Sequence, residues 1–195
     1  MTTEVIAQEI EQRMVRRKAT IEEFLALPES VLPTEYINGE IIMAPTLTVA
    51  HQAVLRNISF ALHEFVRRAA AGNIFFSPLD VVLPSGDVVQ PDAFFLTNEE
   101  SERASSAKRV HGTPSLVIEI LSPGSVKHDA ITKRNLYEQN GVREYWIVDP
   151  ETKTIAQMIL RDNHYELMEL IESDTIRSAV LAGFEMTVKA VMSDK

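Results

Sequence analysis

The chain has 195 residues, 45% of them hydrophobic, a formal net charge of −9 and no cysteine. That length suits one domain, and the apolar fraction is that of a globular chain rather than a disordered one. The acidity argues against an unselective grip on nucleic acid, while the missing cysteines exclude disulfides and thiolate metal sites.

Residues 1–19 read as an N-terminal extension of loose helical character, ahead of a single domain over residues 20–195. The opening lacks the apolar block of a secretory signal, and no apolar run reaches membrane-spanning length. A soluble, cytoplasmic protein without a membrane partner is expected. Thr20 and Glu23 form a capping box for a short helix through Leu27. Tyr36–Met43 is a hairpin turning on Asn38-Gly39, a pair that tolerates positive φ. From Val49 to Ala70, Val54, Ile58, Leu62, Phe65 and Ala69 recur at helical spacing, and Gly72-Asn73 stops the helix.

Ile74–Leu83 and Val88–Leu96 read as strands joined by a turn at Pro84–Asp87, and Thr97–Lys108 as a loop or surface helix. Ser115–Leu121 is a buried strand broken by Ser122-Pro123-Gly124. A helix over Asp129–Asn140, N-capped by Asp129, ends at Gly141, and Val142–Val148 is the next strand. Thr154–Leu160, Tyr165–Ile171 and Phe184–Val188 complete a β-rich tail. The order implies an α/β or α+β fold with a central mixed sheet flanked by helices. The β-rich tail could support a homodimer.

Two acids stand where a core does not want them. Glu119 interrupts the apolar strand, and Asp92 follows Pro91 directly before Ala93-Phe94-Phe95-Leu96. An unpaired buried carboxylate costs several kcal/mol or keeps its proton. Two such acids on adjacent strands can converge on a hard cation, and Mg²⁺ or Mn²⁺ prefers oxygen ligands. The plainer alternatives are a strand-end hydrogen bond for Asp92 and a buried salt bridge for Glu119. Asp80 alternates with Leu79 and Val81 and is a third candidate ligand, and Gln90 could touch water or phosphate. His63, His111, His128 and His164 lack ligand spacing and read as surface residues, while Tyr137, Tyr145 and Trp146 read as core. No nucleophile elbow, phosphate-binding glycine loop or dinucleotide fingerprint is present.

Ser77-Pro78-Leu79-Asp80-Val81-Val82-Leu83, Val89-Gln90-Pro91-Asp92 and Leu116–Pro123 together resemble the Uma-two family of candidate restriction endonucleases. Asp129–Tyr137 and Gly141–Pro150 extend the likeness over roughly residues 20–190. The resemblance implies a PD-(D/E)XK nuclease fold that hydrolyses DNA phosphodiesters with Mg²⁺ or Mn²⁺ held by Asp92 and Glu119. That motif asks for lysine two residues after the strand glutamate, where this chain has Leu121. Lys133 is then the substitute, and Lys127 the lesser one. Glu40 resembles the family's upstream acid, and His51 falls where the family often has histidine. Arg134, Arg67 and Arg68 are candidates for contacts to the nucleic-acid backbone. The alternative is a nuclease fold without turnover, acting as a nucleic-acid-binding, regulatory or structural protein.

Overall fold

The structure is a computed structural model that describes residues 14–28, 32–44, 47–104, 108–122, 125–126, 128–171 and 175–193. Among the described residues the strands form two mixed six-stranded sheets and a hairpin, flanked by helices as expected. The first sheet runs β1 (Val15–Lys18), β3 (Glu40–Met43), β2 (Thr34–Ile37), β6 (Val88–Val89), β5 (Val81–Val82) and β8 (Val110–His111). The second runs β12 (His164–Ile171), β11 (Thr154–Arg161), β10 (Glu144–Asp149), β9 (Leu116–Ile120), β7 (Ala93–Thr97) and β4 (Gly72–Phe76). In it only β9 and β10 pair in parallel. Residues 15–18 are thus a strand paired with β3, not the helix expected of the extension; residues 1–13 lie outside the described residues.

The expected strands Ile74–Leu83 and Val88–Leu96 are each divided between the sheets. β4 pairs with β7 in the second sheet and β5 with β6 in the first. The crossings fall at Pro78 and Pro91, which have no amide hydrogen to continue a ladder. This bent hairpin leaves Asp92 at a corner between the sheets, where the backbone N–H of Ser77 donates to the Asp92 carbonyl at 3.0 Å.

Alternation along the second sheet sorts the core. Ala93, Phe95, Leu116, Ile118, Ile120, Trp146 and Val148 pack against the apolar stripe of α2 (Val49–Ala69). Phe94, Leu96, Val117, Tyr145 and Ile147 face the first sheet and α4 (Arg134–Gln139). Glu119 shares the face of Val117, because side chains two apart point the same way. α1 (Ile21–Leu25), held by the expected Thr20–Glu23 capping box, covers the outer side of the first sheet through Phe24. The surface stretch after β7 forms α3 (Asn98–Ala104).

The helix expected over Asp129–Asn140 begins as a π-helical turn, His128–Lys133, before narrowing into α4. The wider turn advances each side chain by less than the α-helical angle, and His128, Asp129 and Lys133 all end up buried. Asp129 therefore lies inside the helical segment and is not its N-cap.

The hairpin β13 (Thr175–Arg177) and β14 (Glu185–Thr187), followed by α5 (Val188–Val191), closes over α2. One fully buried carboxylate fastens it. Glu144 accepts from Trp146 Nε1 at 2.6 Å, Gln157 Nε2 at 2.7 Å, Ser178 Oγ at 2.8 Å and the amides of Ala179 and Val180 at 2.9 Å. Five donors replace the water this charge would otherwise hold.

Candidate active site

Asp92, Glu119 and Lys133 line one small cavity of about 50 Å³, together with Glu35, His51, Gln90, His128 and Asp129. Each arrives from a different part of the fold. Asp92 comes from the corner before β7, Glu119 from β9, Glu35 from β2, His51 from the first turn of α2, and Lys133 from the end of the π-turn.

The Lys133 ammonium sits at the centre, 2.8 Å from Glu35 Oε1, 3.0 Å from Glu119 Oε1 and 3.7 Å from Asp129 Oδ1. Tyr137 also donates to Glu119 Oε1, at 2.6 Å. Both contacts use one oxygen and leave Glu119 Oε2 without a hydrogen-bond partner among the described residues. Asp92 is arranged alike: His51 Nε2 and the backbone N–H of Ile120 hold Oδ2 at 3.0 and 2.8 Å. Its Oδ1 has no hydrogen-bond partner among the described residues. His51 is 1% exposed, and its Nδ1 is buried without a partner among them.

The electrostatics follow from four buried carboxylates facing one ammonium. Burial pushes the Glu119 carboxyl up, and although Lys133 pulls it down, Asp129, Asp92 and Glu35 add repulsion that leaves it well above the usual range. Burial would raise Glu35 too, but Lys133 and a bond from His128 outweigh it and hold that carboxyl at about 2. Burial also leaves Asp129 raised, despite the opposing pull of Lys133. For Lys133, desolvation favours the neutral amine, but Glu119, Glu35 and Asp129 overcome it and hold the group well above its ordinary value. The ammonium is shared unequally: Glu35 is nearer and is helped by His128, whereas Glu119 faces three other acids.

Glu35, His128, Asp129 and Tyr137 are the site members that sequence reasoning misses. His128 is not a surface residue: it is 4% exposed and bridges Glu35 Oε2 at 3.0 Å and Arg16 Nη2 at 3.3 Å. Tyr137 is core, as expected, but also touches the site through its hydroxyl. Conversely, Glu40 stays outside the cavity, half-exposed and paired with Arg16 at 3.8 Å, because its position beside the hairpin turn puts it at the far end of β3. Glu35 takes the inward place instead.

Asp80 accepts from Arg109 Nε at 2.7 Å and from Gln90 Nε2 at 2.7 Å, so its oxygens are engaged away from Asp92 and Glu119. Gln90 lines the cavity and donates its backbone N–H to Glu35 at 2.9 Å. Arg134 turns to Glu138 at 3.7 Å and lies over the Tyr165 ring, outside the cavity. Arg67 and Arg68 occupy the last turn of α2, about 25 Å along the helix from His51. Lys127 lies outside the described residues. A larger cavity of about 430 Å³, lined in part by Glu100, Arg103 and Arg143, lies by Ser115 at the opposite end of β9 from Glu119.

A family model described as "Uma2: Putative restriction endonuclease" matches residues 21–189. The chain belongs to the Uma2 family. A crystal structure described as a "putative nuclease" from Anabaena variabilis matches with a TM-score of 0.77 at 21% identity, covering 89% of this chain and 97% of that one. At that identity the likeness concerns the fold, which is the mixed-sheet, helix-flanked architecture of restriction-endonuclease-like proteins. Comparison with curated proteins finds no match. Family membership makes this a nuclease-family chain, and no helix among the described residues is long and apolar enough to cross a membrane.

Proposed function

We propose that the chain is a Mg²⁺- or Mn²⁺-dependent endonuclease that hydrolyses phosphodiester bonds in DNA. The observation that carries this reading is the buried Lys133 ammonium 3.0 Å from Glu119, in a cavity that Asp92 also lines. It supports Lys133 as the functional replacement for the lysine that the sequence lacks at Leu121.

The donor set suits a hard cation. Asp92 Oδ1 and Glu119 Oε2 are both unpartnered among the described residues, and a divalent ion would supply the positive charge that lets the raised Glu119 carboxyl ionise. Among the described residues no three acids or histidines are arranged as a full ligand cage. A Mg²⁺ held by Asp92 and Glu119 alone would keep water and phosphate as its other ligands. A bound ion would polarise the phosphoryl oxygen and acidify water.

The chain's own residues do the rest. His51 and the Ile120 amide fix Asp92 through one oxygen, which orients the other. Glu35, kept ionised, and His128 anchor Lys133. Its ammonium can donate to a phosphate oxygen as negative charge develops there. A cavity of about 50 Å³ admits an ion and a water or two but not a nucleotide, so the phosphodiester would meet these groups at the mouth.

The test is cleavage of DNA with Mg²⁺ or Mn²⁺ by the wild type and by Asp92→Asn and Glu119→Gln, alongside melting temperature with and without Mn²⁺. Cleavage and a Mn²⁺-dependent rise in melting temperature are both expected in the wild type and lost in the variants. DNA binding without cleavage under any metal would favour the alternative of a fold retained without turnover.

A further inference from the structure

We propose that β1 is a phosphate-binding edge, with Arg16 and Lys18 holding the backbone of the DNA strand as it approaches the cavity. This rests on the nuclease reading above and adds the surface that would grip the substrate. Among the described residues β1 is the outermost strand of its sheet, and all four of its residues, Val-Arg-Arg-Lys, are exposed. It places three positive charges in a row on a molecule whose net charge is −9.

Its position relates it to the chemistry. Met14, directly before β1, lines the cavity, as does Ala44, directly after β3. The strand therefore starts at the mouth and leads away from it. The register pairs Arg16 with Ile42 and Lys18 with Glu40, whereas Arg17 pairs with Ile41. Ile42 packs in the core between the sheets and Ile41 under α1, so Arg16 and Lys18 share the face nearer the cavity. Two residues of strand separate their Cα atoms by about 6.6 Å.

Arg16 is also pre-oriented. Its guanidinium rests between His128 Nδ1 at 3.3 Å and Glu40 Oε2 at 3.8 Å, yet its side chain is 42% exposed. Through His128 it touches the group that bonds Glu35, which in turn holds Lys133. A phosphate bound by Arg16 would therefore lie one residue-to-residue step outside the buried cluster. This gives Glu40 a different part from the one its sequence position suggests: it positions the arginine.

The experiment measures affinity for a short fluorescent DNA duplex across a salt series, without divalent metal and with Ca²⁺, for the full chain. Each phosphate that is no longer neutralised should reduce the slope of log affinity against log salt by about 0.9. The double variant Arg16→Gln/Lys18→Gln should therefore lose about 1.8 from the slope. Its melting temperature should fall by a few degrees at most: both side chains are exposed, and glutamine at position 16 can still donate to the buried His128 Nδ1. Arg103→Gln/Arg143→Gln, by the larger cavity at the opposite end of β9, should leave the slope unchanged. An unchanged slope in the β1 variant, or an equal loss in the Arg103/Arg143 variant, overturns the proposal while leaving the nuclease reading intact. A wild type that binds no DNA at low salt in either condition overturns both.

Discussion

Lys133 shows how burial changes what a substitution tests. Were it a surface lysine paired with Asp129, the pair would contribute only about 0.3–0.5 kcal/mol and Lys133→Ala would leave stability almost unchanged. Its ammonium is instead enclosed by three carboxylates. Removing one partner from a buried ionic cluster costs about 3–5 kcal/mol, so Lys133→Ala should unfold in less denaturant as well as lose cleavage. Lys133→Met keeps most of the volume, and in a Glu35→Gln/Glu119→Gln background, which removes the two nearest carboxylates, much of its cost should disappear. Chemical denaturation of the four proteins checks this.

Two carboxylates of the same cluster respond to pH in opposite senses. Glu35 falls to about 2 from an ordinary value of 4.5, so its contribution is complete above 4.5 and disappears as pH drops towards 2. A shift of that size corresponds to roughly 3 kcal/mol. Glu35→Gln should flatten the acid limb of a stability–pH curve within that window. Glu119 is raised, so the folded state holds a proton that the unfolded chain has released, and its contribution to stability declines as pH climbs above 4.5. The proposed metal, bound at Glu119, would have to displace that proton. Calorimetry in buffers of different ionisation enthalpy should therefore show proton release on Mn²⁺ binding that shrinks as pH rises, and Glu119→Gln should abolish it.

Among the elements, what the sequence reveals and what it hides divide along a physical line. Asp92 and Glu119 are legible because each is an acid set against apolar strand residues, an arrangement that composition alone makes costly. The Asn38-Gly39 hairpin, with φ of 52° and 77°, and the long helix α2 are legible because turn chemistry and periodicity are local. Glu35 is hidden: in the four-residue strand Thr-Glu-Tyr-Ile nothing local says which face is inward. His128 and Asp129 are hidden because the π-turn changes the phase on which helical face assignments depend. The division of two strands between sheets is hidden as well: each reads as one strand, and although Pro78 and Pro91 stand at the breaks, the identity of each strand's partner is a long-range fact.

Gly72 opens β4 at a similarly demanding junction. Its φ is +148°, and a Cβ added there would meet the carbonyl oxygen of Leu96 on the neighbouring strand. Gly72→Ala should lower stability by well over 1 kcal/mol, since both the backbone conformation and the strand spacing oppose it. Equilibrium denaturation would show this, and because α2 runs directly into β4 the loss should appear in the whole domain's transition.

At the scale of the molecule, the −9 charge means that the proposed DNA binding would rest on local basic features and, at the carboxylate-rich cavity, on cation uptake. DNA binding should therefore have a modest salt slope, unlike that of proteins that neutralise many phosphates. Adding a divalent ion should tighten it against the usual screening trend. A titration in which Mg²⁺ only weakens binding, as monovalent salt does, would contradict this.

Glu144 has a consequence for how the chain is made. β10, where it begins, is an inner strand of the second sheet, yet three of its five donors, Ser178 Oγ and the amides of Ala179 and Val180, lie more than thirty residues later. Until that loop has left the ribosome, β10 carries a carboxylate that cannot be buried without heavy cost. Emerging chains can form the earlier hairpins and α2, but closure of the α2 side of the core must wait for the tail. Arrested nascent chains ending before Ser178 should remain protease-sensitive, and the whole sequence held clear of the ribosome by a C-terminal linker should become resistant in one step. Glu144→Leu, which removes the charge together with the need to satisfy it, should let shorter nascent chains acquire protection in advance of the tail.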